Sequence, residues 1–200
     1  MTLIPHKLVR LALLIAALSG SLSACVSFGA KAPPSLLVLT ATNSVENGTV
    51  KSGATSDALI ILLPEVPQKI NTNRVPVQVD NSSIAYLKDA IWADKPARMM
   101  QMLLMETVSA KTGRLVLNEV DAGGKAQLFL TGSLIEFGVD ASDMQALVVY
   151  DAVKLVRGQV VEKKRFEARS PISSVEAAPA GAALNQAANT VAADVAAWIG

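Results

Sequence analysis

The sequence predicts an α/β chain of the α+β type, a mostly antiparallel sheet with two helices packed on one face. Three observations carry this. Three long strand-like stretches, Ala126 to Gly138, Gln145 to Arg157 and Gln159 to Ser170, follow one another across short polar turns, as antiparallel hairpins do. Two stretches, Asp94 to Thr112 and Ala178 to Ile199, space their apolar residues as helices. The helical stretches do not alternate regularly with the strands, which fits a two-layer sandwich better than β-α repeats around a parallel sheet.

The first 35 residues take no part in that sandwich. His6, Lys7 and Arg10 precede an uncharged run of apolar and small residues, Leu11 to Leu22. That order of charged, apolar and small residues is the order of a secretory signal. The run falls short of the ~20 residues that span a bilayer. Leu22-Ser23-Ala24-Cys25 closes it with the single cysteine of the chain, and resembles the bacterial lipobox. Small side chains suit the scissile bond between Ala24 and Cys25, and the Cys25 thiol accepts a diacylglycerol. The mature chain is therefore expected to begin at an acylated, palmitate-type Cys25. Residues 1–24 read as the lipoprotein signal peptide, 25–35 as a lipidated tether broken by Gly29, Pro33 and Pro34, and 36–200 as the folded domain. Fully extended, the tether reaches about 30 Å.

Within the domain, Leu36 to Thr40 reads as a first short strand and Thr42 to Asp57 as an exposed loop. Ala58 to Leu63 is continuously apolar, as a central strand is. Pro64 and Pro67 end its pairing. Val75, Val77 and Val79 alternate like a half-buried edge strand, and Ile84 to Lys88 follows after the turn Asn81-Ser82-Ser83. The first helix has Asp94 to cap it, Pro96 in its first turn and Gly113 just past its end. Met100, Leu103, Leu104, Thr107 and Val108 form its buried stripe, which Met99, Met102 and Met105 widen. Leu115 to Leu117 is a short strand, and Asp121-Ala122-Gly123-Gly124 a turn. The last helix carries Leu184, Ala188, Val191, Val195 and Trp198 on one stripe, with Asn185, Gln186, Asn189 and Asp194 opposite, and Trp198 is expected in the core.

Composition narrows the function. The whole chain has 18 Lys and Arg against 17 Asp and Glu. Loss of Lys7 and Arg10 with the leader leaves it near neutral, a poor fit to nucleic acid. The single histidine, His6, also leaves with the leader. A mature chain with no imidazole and an acylated thiol cannot build a Ser-His-Asp triad, a Cys-His pair or a zinc site of His and Cys. Asp140, Asp143 and Asp151 straddle a hairpin turn, a weak arrangement for a hard metal. Gly123-Gly124 alone is a turn and not a phosphate loop. The reading is a non-enzyme without metal or cofactor.

Arg74-Val75-Pro76-Val77, then Ile84-Ala85-Tyr86-Leu87-Lys88-Asp89-Ala90 with Trp92, then Pro96-Ala97-Arg98 and Thr112-Gly113-Arg114-Leu115-Val116, run in an order that, with the lipobox, resembles the ABC-type transport auxiliary lipoprotein family. The later stretch Val148-Val149-Tyr150-Asp151, the charged strand to Arg169 and the alanine-rich helix extend the resemblance over nearly all of the mature chain. The resemblance implies a role beside an ABC transporter whose substrate-binding component carries MCE domains. Such systems move phospholipids or other hydrophobic molecules between membranes. It implies an MCE-domain protein as partner, the outer membrane as anchor through the N-terminal lipid, and the periplasmic face as location. It leaves room for a bound phospholipid and for homo-oligomers. Val26, where an Asp would retain a lipoprotein at the inner membrane, agrees with the outer membrane. The family's motifs are structural, so no catalytic residue transfers.

Without a catalytic group, function falls to a surface. The methionines Met99, Met102 and Met105, bordered by Tyr86 and Trp92, are the expected partner or lipid surface, because methionine adapts to apolar contacts. Core filling by the same side chains, and core packing of Tyr86 and Trp92, is the competing reading and the one their residue types favour. Lys163-Lys164-Arg165 reads as a solvated face, or as a contact for anionic headgroups. The alternative function is a structural envelope lipoprotein that binds peptidoglycan or an outer-membrane assembly complex.

Overall fold

The structure is a computed structural model that describes residues 35–157 and 161–200. Ala24, Cys25, Val26, the leader and nearly all of the tether lie outside the described residues, as does the expected start of the last long strand at Gln159. In chain order the elements are β1 (Leu59–Ile61), β2 (Arg74–Gln78), β3 (Ile84–Ile91), α1 (Pro96–Thr112), β4 (Val116–Leu117), α2 (Glu119–Ala122), β5 (Leu128–Asp140), β6 (Gln145–Val156), β7 (Glu162–Pro171) and α3 (Ala177–Ile199).

The sheet has seven strands, and β5 is its spine. Along one side β5 pairs antiparallel with β6 from Leu128↔Val156 to Asp140↔Gln145, and β6 pairs antiparallel with β7. Along its other side one interrupted run of chain serves as partner. β1 lies parallel to the start of β5, with Leu59 opposite Leu128. The Glu65 N–H donates to Gly132 O at 2.9 Å, and the Leu134 N–H to Glu65 O at 2.8 Å. Past a turn after Pro67, β2 returns parallel to the end of β5, with Val77 opposite Val139. Pro64 and Pro67 explain the interruption, since proline cannot donate to a ladder. β2 therefore lies between β3 and β5 and is not the edge strand its alternation predicts. Its Pro76 is accommodated because only the last two residues of β2 pair with β5. The edge beyond is β3, antiparallel to β2.

Both long helices pack on one face, as predicted. Their buried residues share a single cluster with Leu130, Leu134, Phe137, Val148, Tyr150 and Phe166. Small side chains set the approach: Ala146, Ala152 and Ala168 on the strands meet Ala180, Ala187, Ala188 and Ala192 on α3. Trp92 closes the far end of this core, 1% exposed, its ring 5.3 Å from Phe137. Tyr150, buried in the same cluster, donates its hydroxyl to Thr131 O at 3.1 Å, and burial raises its pKa.

Several boundaries differ from the expectation, for local reasons. The N-cap of α1 is Lys95, and Asp94 accepts from the Lys95 N–H at 2.7 Å instead of capping the helix. Gly113 ends α1 in the left-handed region at φ 74°. The predicted turn at Asp121 is the end of one helical turn, α2, because Asn118 accepts from the Asp121 N–H and starts it. Trp198 is half-buried against Phe166, with ring centroids 5.7 Å apart, and not fully enclosed.

Among the described residues, no long helix packs on the opposite face of the sheet. A small cluster of Ile60, Ala122 and Ala126 covers one end of it. Elsewhere its charges pair with one another. Arg165 donates to both carboxylate oxygens of Asp151, at 2.6 and 2.9 Å, and Lys163 lies 3.3 Å away. The Asp151 side chain is 8% exposed. The Arg165 hydrogen bonds, partly opposed by desolvation, lower its pKa to about 2. A carboxylate held below its unfolded value stabilises the fold above that value, and the stabilisation is lost as pH falls through the folded one. Arg165 is itself exposed, so solvent screening discounts the pair. Arg165→Gln should therefore lower stability at pH 7 and have next to no effect near pH 2. Urea titrations at the two pH values measure it; an equal loss at both would rule out the ion pair as the cause.

Candidate functional site

Residues 36–51 form a strap over the helix layer. The predicted strand at Leu36 to Thr40 reduces to one bridge, Leu37↔Trp92, in which the Leu37 N–H donates to Ile91 O and the Ala93 N–H to Leu37 O, both at 2.8 Å. From there the chain crosses α3. A backbone lying on a helix has no ladder to satisfy it, and buried backbone groups need partners. Asn185 and Asn189, one turn apart on the same helix face, supply them. The Thr40 N–H donates to Asn185 Oδ1 at 2.8 Å, the Thr42 N–H donates to Asn189 Oδ1 at 2.7 Å, and Asn189 Nδ2 returns a bond to Thr40 O at 2.9 Å. The strap then reaches α1, where the Val45 N–H donates to Glu106 Oε1 at 2.7 Å and Lys51 donates to Ser109 O.

Gly181 lets the strap sit low. A Cβ there would come within 2.6 Å of the Leu37 side chain. Leu37, Leu39 and Ala41 point inward and pack against the core. Leu36 and Val38, at the alternate positions, are 52% and 56% exposed.

Strap and α1 together bound an apolar groove of about 360 Å³. Val38, Leu39 and Ala41 form one wall, and Met99, Met102 and Leu103 the other. Residues 99, 102, 103 and 106 share one face of α1 by their spacing of three and four. Met102 is 56% exposed at the mouth, and Met99 is 8% exposed at the floor. Asp94 and Glu106 stand at the rim.

The structure thus brings Met99 and Met102 together in an open apolar groove. Met105 packs against the core outside it, half-buried. The expected border residues lie elsewhere. Trp92 is interior, and Tyr86 is half-buried, its hydroxyl donating to Lys69 O at 3.3 Å and the Arg74 guanidinium 4.4 Å above its ring. The methionine stripe exceeds one sheet face because α1 also packs on α3 and under the strap. Sequence reasoning missed Val38, Leu39 and Glu106. The unbroken apolar run Leu36-Leu37-Val38-Leu39, longer than one buried face needs, was the available signal.

No reactive constellation accompanies the groove. Asp140 accepts from Ser142 and Asp143 in the β5–β6 turn, while Asp151 is held by Arg165 on the open face. Among the described residues no group of three or more His, Cys, Asp or Glu side chains converges as a metal site requires. Among the same residues no helix is long and apolar enough to cross a membrane.

The family model described as ABC-type transport auxiliary lipoprotein component matches residues 39–196. Among solved structures, a crystal structure from Xanthomonas campestris assigned to family DUF330 is similar at a TM-score of 0.66 and 20% identity, covering 82% of this chain and 94% of that one. A second, described as an uncharacterized protein, is similar at a TM-score of 0.64 and 17% identity, covering 72% and 93%. At these identities the two structures speak for the fold alone. No curated protein sequence matches.

Proposed function

The chain belongs to the ABC-type transport auxiliary lipoprotein family, and from that premise we propose that it serves an MCE-associated system that moves lipid or another hydrophobic solute between membranes. In this reading Cys25 carries the lipid, the outer membrane holds it, and the domain works in the periplasm. It acts by binding the MCE-domain protein of the transporter, not by catalysis. The observation that carries the reading is the groove between the strap and α1. It is apolar, preformed and open, and Met102 and Val38 stand exposed at its mouth. Isolated exposed apolar residues are ordinary on a surface, but apolar residues grouped around a cavity mark contact sites. The open sheet face supports the same choice by default, because its charges are already paired.

Met102→Glu tests it. The side chain is exposed, so the charge stays in water in the free protein and the fold should hold. On a partner interface the same charge would be buried without a counterion, which is costly. Apolar anchors at an interface centre often carry 2 kcal/mol or more. The expected result is at least a tenfold loss of affinity for the MCE-domain protein, with unchanged circular dichroism and melting. Undiminished binding by the folded variant would move the contact away from the groove.

A further inference from the structure

We propose that the groove is built for a protein segment that is apolar along its centre and basic at its two ends. This rests on the groove being the partner site, and adds the chemistry of what enters. Both titratable residues that line it, Asp94 and Glu106, are acids, and no Lys or Arg lines it. The nearest cations on the same elements are engaged elsewhere. Lys95 donates to Asn71 at 3.1 Å, Arg98 donates to Gln101 at 2.8 Å, and Lys51 is held by Ser109 O.

One carboxylate oxygen of Asp94 accepts from the Lys95 N–H, and one of Glu106 from the Val45 N–H. Each retains its second oxygen for a charged donor. Asp94 precedes the first turn of α1 and Glu106 lies about 15 Å further along its axis, so a guanidinium or ammonium at each end of an incoming segment would meet one of these oxygens as its apolar residues pass between Val38 and Met102. Charged donors on carboxylates form the stronger class of hydrogen bond. The same rim counts against a phospholipid. An acyl chain would fit the apolar walls, but at either end of the groove its phosphate would lie against a carboxylate, with no Lys or Arg lining the groove to receive it. Opposite charge at a rim chiefly raises the association rate and makes it salt-dependent.

The test measures binding of the periplasmic MCE-domain protein to four full-chain proteins, all with Cys25→Ala to remove the anchor. These are the otherwise unchanged chain, Asp94→Asn with Glu106→Gln, Met102→Glu, and all three changes together. Asn and Gln keep the acceptors for Lys95 and Val45 and remove only charge. The expected result is a loss of about three- to tenfold at low salt in the double neutral variant, concentrated in the association rate, with a flattened salt dependence. If Met102→Glu weakens binding but the neutral variant keeps full affinity and salt dependence, the groove is the site and the basic ends are wrong. If neither change matters, the groove reading fails with it. Met102-dependent binding to phosphatidylcholine–phosphatidylglycerol vesicles would make the occupant a lipid. A Met102-dependent change of mass in sedimentation would make it a second copy of this chain. Either outcome would overturn the proposal.

Discussion

Cys25→Ala should leave the full-length protein unmarked by a fatty-acid probe, unprocessed by the lipoprotein peptidase and without a stable acyl anchor. The expectation follows from the leader's order and from the position of the one cysteine directly after Leu22-Ser23-Ala24. The size of the effect follows from hydrocarbon transfer. Each buried methylene contributes ~0.8 kcal/mol, so one chain holds marginally and several hold for good. Without acyl groups the domain must rely on protein contacts alone. The groove near Met102 is too small and too acidic at its rim to replace a bilayer anchor. The variant should therefore keep an uncleaved leader, and should move almost wholly to the soluble fraction only once that leader is removed. Labelling equal to wild type would dismiss Cys25 as the site. Loss of labelling with full membrane retention after the leader is removed would show a second attachment.

The division between what could and could not be read follows the range of the contacts involved. Long regular elements were legible because their period is local. The apolar stripe Met100, Leu103, Leu104, Val108 and the capping Gly113 specify α1 within about one residue. The apolar run of β6 marks a strand but not its buried side, because Leu147, Val149 and Val153 interleave with Ala146, Val148, Tyr150 and Ala152. The antiparallel hairpins β5–β6–β7 follow from short turns, whose geometry is also local. Legibility stops where partners are distant in sequence. The parallel pairing of β1 and β2 on one side of β5 joins residues more than fifty positions apart, and no turn announces it. The strap is harder still. Asn185 and Asn189 look like a polar outer face, yet Asn189 is 7% exposed because it hydrogen-bonds the backbone at Thr40 and Thr42. A polar side chain that satisfies a distant backbone carries no period in the sequence. The candidate surface shows both cases. Met99 and Met102 were found by helical spacing, while Val38 and Leu39 on the opposite wall come from residues some sixty positions earlier. Trp92 lies beside the methionines in the chain but in the core in space, just past the stretch of β3 around Asp89, at φ 56°, where its register against β2 shifts.

Gly132→Ala should destabilise the fold by roughly 3 kcal/mol or more, far beyond a typical glycine substitution. Two features add at this position. Its φ of 151° is one that side-chain-bearing residues rarely adopt. A Cβ built there would also run into the carbonyl oxygen of Asp151 and lie 3.1 Å from Ala152 Cα, both in the adjacent strand β6. The obstacle is backbone, so no rotamer can relieve it. Either β5 leaves β6 locally or the strands shift. Both responses disturb the longest ladder of the sheet, next to the irregularity between Leu134 and Glu136 where β5 changes register. They also displace Asp151, whose carboxylate Arg165 holds on the other face. Gly113→Ala supplies the control. Gly113 also has positive φ, at 74°, but a Cβ there meets nothing within 4 Å. It should lose only the left-handed penalty, about 1 kcal/mol. Urea denaturation of the two variants separates strain from collision. A Gly132→Ala variant no less stable than Gly113→Ala would mean that β5 and β6 do not approach as closely as this register requires. The spine of the sheet, and with it the placement of α3 and the strap above it, would then need redrawing.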